Sequence, residues 1–241
     1  MTSSGRTREG PSRRGPVITV DGPAASGKSS TAREVARRLG IRHLDSGALY
    51  RALTYALLDE GVPQEEWVEL EADDLESLQV QVEPTEEGIR IRHRDRPLDS
   101  ELRTARVTAR VSSLASVSAV RSWLLRRQRE AARHGALVAE GRDMGSVVFP
   151  DADLKILLVA HLEERARRRL RERGEEEGPD AVRDEALRLA RRDRDDETRS
   201  VAPLRKAEDA VEVDTTGLTL DEQVDRIVAM ARGLTGSDAQ I

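Results

Sequence analysis

The chain contains the sequence Gly22-Pro23-Ala24-Ala25-Ser26-Gly27-Lys28-Ser29, which matches the phosphate-binding pattern G-x-x-x-x-G-K-[ST]. An apolar run at 17–20 precedes it, and apolar residues at helical spacing follow it. A strand, a glycine-rich turn and a helix in this order surround a phosphate chain with loop amides and the positive end of the helix dipole. We therefore predict that Lys28 reaches the terminal phosphates of a nucleotide and that a hydroxyl of Ser29 or Ser30 ligates Mg²⁺. The alternative is a glycine-rich turn with an exposed lysine.

Short β-rich runs alternate with helical stretches along the chain, which predicts an α/β fold in which helices wrap a parallel five-stranded sheet. The runs lie at 17–20, 41–44, 137–140, 156–159 and 211–213. Apolar and polar residues alternate at 78–82 and again at 89–91 around a turn, so we expect a small antiparallel β insertion there. Two helices should follow the insertion, one at 107–114 and one at 117–133.

Composition excludes several classes of protein. Among 241 residues, Lys and Arg number 40 and Asp and Glu 45, so the net charge of −5 disfavours nucleic acid or an anionic membrane as partner. Cysteine is absent, which excludes disulfides, thiolate metal sites and cysteine nucleophiles. The four histidines have no metal-ligand spacing, and no apolar run approaches the roughly 20 residues that span a bilayer. We expect a soluble cytoplasmic protein.

The phosphate-binding loop is compatible with several reactions, and the remaining sequence narrows them. The chain contains no asparagine, so it lacks the Asn-Lys-x-Asp guanine reader of Ras-type GTPases. The predicted strand at 137–140 ends in Glu140 and Gly141 rather than in the paired acids usual in motor ATPases. These absences favour a P-loop kinase acting on a small molecule. A non-kinase nucleotide switch that acts through a partner is the rival hypothesis.

A kinase must also hold an anionic acceptor, and candidate residues follow two predicted strands. Ser46, Tyr50 and Arg51 begin the second helix, at the carboxyl end of a strand where ligands lie in wound sheets. Alone, they fit an N-cap serine and a solvated arginine equally well. Arg142 and Asp143 follow another strand and should project over the same edge. Their alternative is a glycine-rich turn with a local ion pair.

The segment 162–199 is intensely charged and predicts two helices separated at 174–179. Arg192, Asp196 and Arg199 are spaced by four and three, which puts a carboxylate between two guanidinium groups on one helical face. The alternative is an exposed helix with salt bridges. Because the segment follows a flexible connection, we predict a mobile lid that closes with arginine clamps. The remaining charged residues are predicted to be solvated surface: Arg188, Arg191, Asp193, Arg194 and Asp195.

Six stretches in order resemble the bacterial cytidylate kinase family. They are VITVDGPAASGKSS (17–30), LDSGALYRA (44–52), LRT (102–104), VRSWLLRRQR (120–129), VAEGRDMGSVVFPDADLKILL (138–158) and RDRDDETRSVAPL (192–204). The resemblance implies transfer of the γ-phosphate of ATP to CMP or dCMP with Mg²⁺. A UMP/CMP kinase of broader specificity is the alternative within this class, and a monomer is expected. The resemblance also implies a division of the chain into segments: a disordered tail at 1–16, core segments at 17–63, 106–163 and 200–241, a nucleoside monophosphate-binding insertion at 64–105 and a helical lid at 164–199.

Roles are carried over from the family by position. ATP would be held by residues 22–30 and, from the lid, by Arg168. Ser112, Arg121 and Asp143 would recognise the cytosine. The CMP phosphate would be bound by Arg51, Arg142 and Arg199, and Arg192 and Asp196 would meet the ribose. The catalytic residues would be Lys28, Arg142, Arg192 and Arg199. Family loops usually carry glycine where this chain has Ala25 and Ser29, which leaves open whether Ser29 or Ser30 lies nearer the metal.

Overall fold

A computed structural model describes residues 15–199 and 201–237, so residues 1–14 of the predicted tail lie outside the described part. The strands are β1 (Val17–Asp21), β2 (Arg42–Asp45), β3 (Val80–Pro84), β4 (Ile89–His93), β5 (Arg96–Pro97), β6 (Leu137–Gly141), β7 (Leu154–Val159) and β8 (Val211–Asp214). The α-helices are α1 (Lys28–Leu39), α2 (Ser46–Asp59), α3 (Ala72–Ser77), α4 (Ala105–Thr108), α5 (Val111–Leu114), α6 (Ser118–Arg133), α7 (Leu162–Arg173), α8 (Pro179–Thr198) and α9 (Leu220–Ser237). No helix in the described ranges is long and apolar enough to cross a membrane.

Five strands form one parallel sheet in the order β2-β6-β1-β7-β8, which confirms the predicted architecture. Every residue of β1 and of β6 is buried, as expected for central strands covered on both faces. Asp21, at the end of β1, is level with Gly141 of β6. The loops that leave these central strands therefore start side by side at the same edge of the sheet.

Alternation along β1 distributes the core between two layers. Ile18 and Val20 pack with α1 and α9 on one face, whereas Val17 packs with α2 and α6 on the other. Of the apolar positions that predicted the first helix, Ala32 and Val35 are completely buried there, whereas Leu39 is partly buried. Helix α1 is thus held firmly behind the loop that precedes it.

The inserted segment contains the predicted hairpin, β3 and β4, which β5 extends to a three-stranded antiparallel sheet. The hairpin turn rests on the edge of the main sheet, where the amide of His43 donates to the carbonyl of Glu87 at 2.9 Å. The single helix predicted at 107–114 is wrong. Two short helices, α4 and α5, form instead because Arg110, with φ −114°, departs from helical geometry between them.

The charged segment forms two antiparallel helices, α7 and α8, as predicted. Gly174 ends α7 in the left-handed conformation with φ 68°, and Pro179 begins α8. The hairpin also has a small apolar core of its own. Five of its side chains form a small core into which Ala24 of the phosphate-binding loop also packs: Ala166, Leu170, Val182, Ala186 and Leu189.

Candidate active site

Three strand ends meet at a cleft of about 570 Å³ at the carboxyl edge of the sheet. The loop after β1, the start of α2 after β2 and the segment after β6 all line it, together with residues of α5, α6 and α8. The cleft gathers most of the predicted site residues: Ala24, Ala25, Gly27, Lys28, Ser29, Ser30, Ser46, Tyr50, Arg51, Ser112, Arg121, Arg142, Asp143, Arg192, Asp196 and Arg199. The parallel sheet therefore brings together groups that are up to 175 positions apart in the sequence.

Backbone geometry explains where the phosphate-binding loop needs glycine. A Cβ on Gly22 would lie 2.3 Å from the carbonyl oxygen of Leu158, so only glycine fits between the loop and β7. Gly27 has φ +91° and is the N-cap residue of α1. Ala25, which has a side chain, also has a positive φ of 57°. Pro23 and Ser26 lie in the body of the loop, where the Pro23 carbonyl accepts from the Lys28 ammonium at 3.1 Å.

Lys28 is 9% exposed, and its surroundings disfavour its charge. Burial, with a further contribution from Arg142, lowers the pKa of Lys28 to about 7, although Glu140 acts in the opposite direction. A lysine in this state is short of negative partners. Phosphate oxygens in the cleft would supply them.

The hydroxyl of Ser29 donates to Oε2 of Glu140 at 2.6 Å. On the other side of this carboxylate, His43 Nε2 lies 3.4 Å from Oε1. Burial raises the pKa of Glu140, but His43, Lys28 and Ser29 outweigh burial, so the net pKa is lowered and Glu140 stays ionised. Ser30, by contrast, is exposed. Of the two candidate hydroxyls, the one on Ser29 is thus fixed to a buried carboxylate.

Arginines converge opposite the loop. Arg142 Nε donates to Oδ2 of Asp196 at 2.7 Å, and Arg199 Nη1 lies 3.8 Å from Oδ1 of the same carboxylate. Burial raises the pKa of Asp196, but the neighbouring arginines, Arg142 first, lower it overall. Burial, followed by repulsion from Arg142, lowers the pKa of Arg192 to about 10. Its Nε is buried and has no partner within the described ranges.

The start of α2 differs slightly from expectation. Asp45, not Ser46, caps the helix and accepts from the amide of Ala48 at 3.0 Å. Ser46 is buried against Gly141, and Arg51 points toward the cleft, where burial lowers its pKa. The alternative in which Arg51 is simply solvated is therefore wrong.

A buried polar corner lies at the far end of the cleft. Arg121 pairs with Oδ2 of Asp143, and its Nη1 donates to the carbonyl of Ala115 at 3.2 Å. The Arg121 guanidinium lies 5.9 Å from the Tyr50 ring centroid, and burial raises the pKa of Tyr50 to about 12. Ser112 lines the same corner. Together, these groups present fixed donors and acceptors in a site shielded from water.

Two residues are placed differently from the others. Arg168 does not line the cleft; its Nη1 donates to Thr215 Oγ1 at 3.0 Å and approaches the Ser26 carbonyl at 3.4 Å, behind the loop. Its contact with ATP remains a prediction. Asp193, predicted to be solvated, is only 7% exposed and pairs with Arg165 at 2.6 Å, so that prediction is wrong. Arg188, Arg191, Arg194 and Asp195 are exposed, as predicted.

The cleft is strongly cationic although the chain is acidic. Ten side chains lining it are basic: Lys28, Arg33, Arg51, Arg103, Arg121, Arg142, Arg169, Arg173, Arg192 and Arg199. Five are acidic: Asp45, Glu140, Asp143, Glu172 and Asp196. Since the whole chain carries −5, the cleft concentrates positive charge and favours polyanionic ligands. Sequence reasoning missed Asp45, Arg103, Arg169 and Arg173. The sequence did single out Glu140, because the predicted strand at 137–140, which pairs with β1, ends at this residue.

The family model described as cytidylate kinase matches residues 18–233. The chain belongs to the cytidylate kinase family. The resemblance in the six sequence stretches is thereby confirmed. A cytidylate kinase of Anoxybacillus flavithermus is 42% identical to it over 218 residues, which cover 89% of this chain and 95% of that protein.

Longer relatives carry a second activity in their names. A bifunctional pantoate ligase/cytidylate kinase of Synechocystis sp. is 43% identical over 220 residues, which are 89% of this chain and 42% of that protein. One from Synechococcus sp. (strain CC9311) is 41% identical over 231 residues, 93% of this chain and 46% of that protein. The chain thus spans less than half the length of these bifunctional relatives.

Proposed function

We propose that this chain transfers the γ-phosphate of ATP to CMP and dCMP, giving ADP and CDP or dCDP. One observation carries the proposal: the same cleft joins a phosphate-binding loop, three arginines opposite it and a buried polar corner that can recognise a base. Membership of the cytidylate kinase family and the name of the Anoxybacillus relative support it. We further propose that it acts as a cytoplasmic monomer.

On the donor side, residues 22–30 would bind the phosphates of ATP through loop amides and the start of α1, with Lys28 at the terminal phosphates. The described ranges contain no group of three or more His, Cys, Asp or Glu side chains able to hold a metal. We propose that Mg²⁺ arrives with the nucleotide. Ser29 fits it, since the hydroxyl already bonds the ionised Glu140. When bound, Mg²⁺ would neutralise charge on the β- and γ-phosphates.

On the acceptor side, Arg51, Arg142 and Arg199 would bind the CMP phosphate and offset repulsion between the two substrates. A phosphate oxygen of CMP attacks the γ-phosphorus, while the bond from that phosphorus to the β-bridging oxygen breaks and ADP leaves. Arg192, with its unpartnered Nε, would add charge to the transferring group, and Arg192 and Asp196 would contact the ribose. No covalent enzyme intermediate is required.

The polar corner accounts for the choice of base. Asp143 uses Oδ2 to hold Arg121, so its Oδ1, together with the Ser112 hydroxyl, would accept from the exocyclic amine of cytosine. Arg121 would donate to the ring carbonyl. Uracil presents a carbonyl where cytosine has the amine, and that carbonyl would face the Asp143 carboxylate, which can only accept, although the Ser112 hydroxyl could turn to donate. An unpaired buried polar group costs about 1–3 kcal/mol, which corresponds to roughly tenfold to a hundredfold selectivity.

The division of the chain into a core, an insertion at 64–105 that binds the monophosphate and a lid at 164–199 also remains a proposal. Two features support it. The insertion contacts the main sheet at its hairpin turn. Helix α8 contributes Arg192 and Asp196 to the lining of the cleft, and Arg199, which also lines it, directly follows α8. In this arrangement, closure of the helical hairpin would exclude water from the transfer.

A coupled assay of ADP release with Mg·ATP tests the proposal, using CMP, dCMP, UMP, AMP, GMP and shikimate as acceptors. We expect CMP and dCMP to yield one CDP or dCDP for each ADP, and UMP to react at least about tenfold more slowly. Equal rates with UMP and CMP would support the broader UMP/CMP kinase instead. Slow ADP release that no acceptor stimulates would support the nucleotide switch. Lys28→Met is the control, because it removes the charge at the terminal phosphates but not the fold.

A further inference from the structure

A buried ion pair lies outside the cleft and ties the helical hairpin to the phosphate-binding loop. Asp193 on α8 and Arg165 on α7 are each 7% exposed, and Asp193 Oδ2 accepts from Arg165 Nη1 at 2.6 Å. Both side chains also hold the backbone of Ala24. Oδ1 of Asp193 accepts from the Ala24 amide at 3.2 Å, and Arg165 Nη1 donates to the Ala24 carbonyl at 3.0 Å. We call this arrangement the Ala24 clamp.

The clamp fixes both polar groups of one loop residue with charged partners shielded from water. Such charge-assisted hydrogen bonds are stronger than neutral ones, particularly where the local dielectric is low. Apolar packing acts on the same residue, since the Ala24 side chain is 4% exposed within the small core of the hairpin. Arg165 is itself anchored, because its Nε donates to the carbonyl of Ala160 at 3.1 Å. Ala24 is therefore held more firmly than a surface loop usually is.

The residue after Ala24 shows why the loop needs holding. Ala25 has φ 57°, a left-handed conformation in which a Cβ is crowded by its own backbone. Glycine adopts this conformation without that penalty, but the chain has alanine here. A strained residue keeps its conformation only where its surroundings impose it. The fixed peptide groups of Ala24, directly before it, are such surroundings.

We propose that Arg165 and Asp193 are positioning residues that hold the phosphate-binding loop in its nucleotide-binding conformation against the strain at Ala25. The proposal rests on the nucleotide binding described above. It means that the part of the helical hairpin around Arg165 and Asp193 helps to form the site that binds the phosphate donor. Loss of the clamp allows Ala25 to relax to negative φ, which turns the following amides away from the phosphates. Neither residue lines the cleft.

Calorimetry of Mg·ADP binding to the full chain, without an acceptor, tests the proposal separately from the kinase reaction. Asp193→Asn places an amide group opposite the Arg165 guanidinium, so we expect the Kd for ADP to rise about tenfold. Asp195→Asn is the matched control, since it makes the same change on an exposed residue of the same helix and should leave Kd unaltered. The Kd for CMP should stay within about twofold, because the changed contact is to the donor loop.

A second background separates loop positioning from general loss of stability. Introducing Ala25→Gly removes the strain, so the effect of Asp193→Asn on the Kd for ADP should shrink by several-fold in that background. A purely structural role would give the same loss with and without Ala25→Gly, and that result overturns the proposal. So does an unchanged Kd for ADP in Asp193→Asn. If Asp193→Asn does not fold, Arg165→Lys, which keeps the charge but not the double contact, is measured by the same criteria.

The outcomes also distinguish this proposal from the function on which it rests. ADP binding that depends on the clamp in a protein that fails to phosphorylate CMP would retain the clamp and reject the kinase. If the chain phosphorylates CMP but Asp193→Asn leaves the Kd for ADP unchanged, the kinase function stands and the positioning role of the clamp is rejected. A wild-type chain with no affinity for Mg·ADP would reject both.

Discussion

Lys28 should take up a proton when nucleotide binds near pH 8. In the ligand-free protein, burial and then Arg142 lower the pKa of Lys28 from 10.5 to about 7. Phosphates placed beside the ammonium group favour its charged form and therefore raise this pKa again. The perturbation to apply is the binding of Mg·ADP, in wild type and in Lys28→Arg. The variant keeps its guanidinium charged at every pH used, so it has no proton to take up.

The size of the effect follows from the pKa. With a pKa of about 7, roughly one Lys28 side chain in ten is protonated at pH 8, so binding should take up about 0.9 proton per ADP. Affinity should then fall by up to about tenfold per pH unit above pH 8, until the pH reaches the pKa in the complex. For the ligand-free protein the lowered pKa means that the unfolded state binds more protons between pH 7 and 10.5. The free energy of unfolding should therefore rise with pH across that window.

Calorimetry at pH 8 in two buffers of different ionisation enthalpy measures the proton uptake directly. Wild type should show uptake near one proton and Lys28→Arg much less. Uptake near zero in wild type, or the same uptake in both proteins, would refute the assignment of a lowered pKa to a lysine beside the bound phosphates.

Three further results are expected. Asp143→Ala should reduce the ratio of kcat/KM for CMP over UMP by about tenfold or more, because the acceptor for the cytosine amine is removed; an unchanged ratio rejects the proposed base recognition. Burial raises the pKa of Asp21 from 3.8 to about 6, so the folded state binds more protons than the unfolded state between these pH values. The contribution of this group to stability is therefore lost as pH rises from 4 to 6. Urea unfolding should show this fall in the free energy of unfolding in wild type but not in Asp21→Asn. Limited proteolysis within 165–199 should slow when ADP and CMP bind together, whereas unchanged digestion would argue against closure of the helical hairpin.

Much of the fold could be predicted because its signals are local. Apolar runs at β1, β6 and β7 correctly indicated the central strands of the sheet, and the loop before Lys28 indicated a strand-to-helix turn. The break between α4 and α5 could not be predicted in this way. It contains no proline or glycine, and the apolar spacing of Val107, Val111 and Leu114 fits one continuous helix.

The site residues likewise differ in whether the sequence around them carries a signal. Arg51 and Arg142 follow strand ends, so the topology of a parallel sheet suffices to place them together. Ser112 and Arg121 lie on helices whose pattern gives no sign of a ligand, and only the family resemblance singled them out. Asp193 was misplaced because a run of alternating acids and arginines normally marks a solvated helix. Its burial depends on Arg165 and Ala24, partners distant in sequence.

A crystal structure with ADP and CMP bound together tests the central claim most directly. We expect the phosphates of ADP within the loop at 22–29, and the phosphate of CMP within about 3.2 Å of guanidinium nitrogens from Arg51, Arg142 and Arg199 at once. A CMP phosphate bound elsewhere, with these three arginines turned to separate partners, would contradict the account.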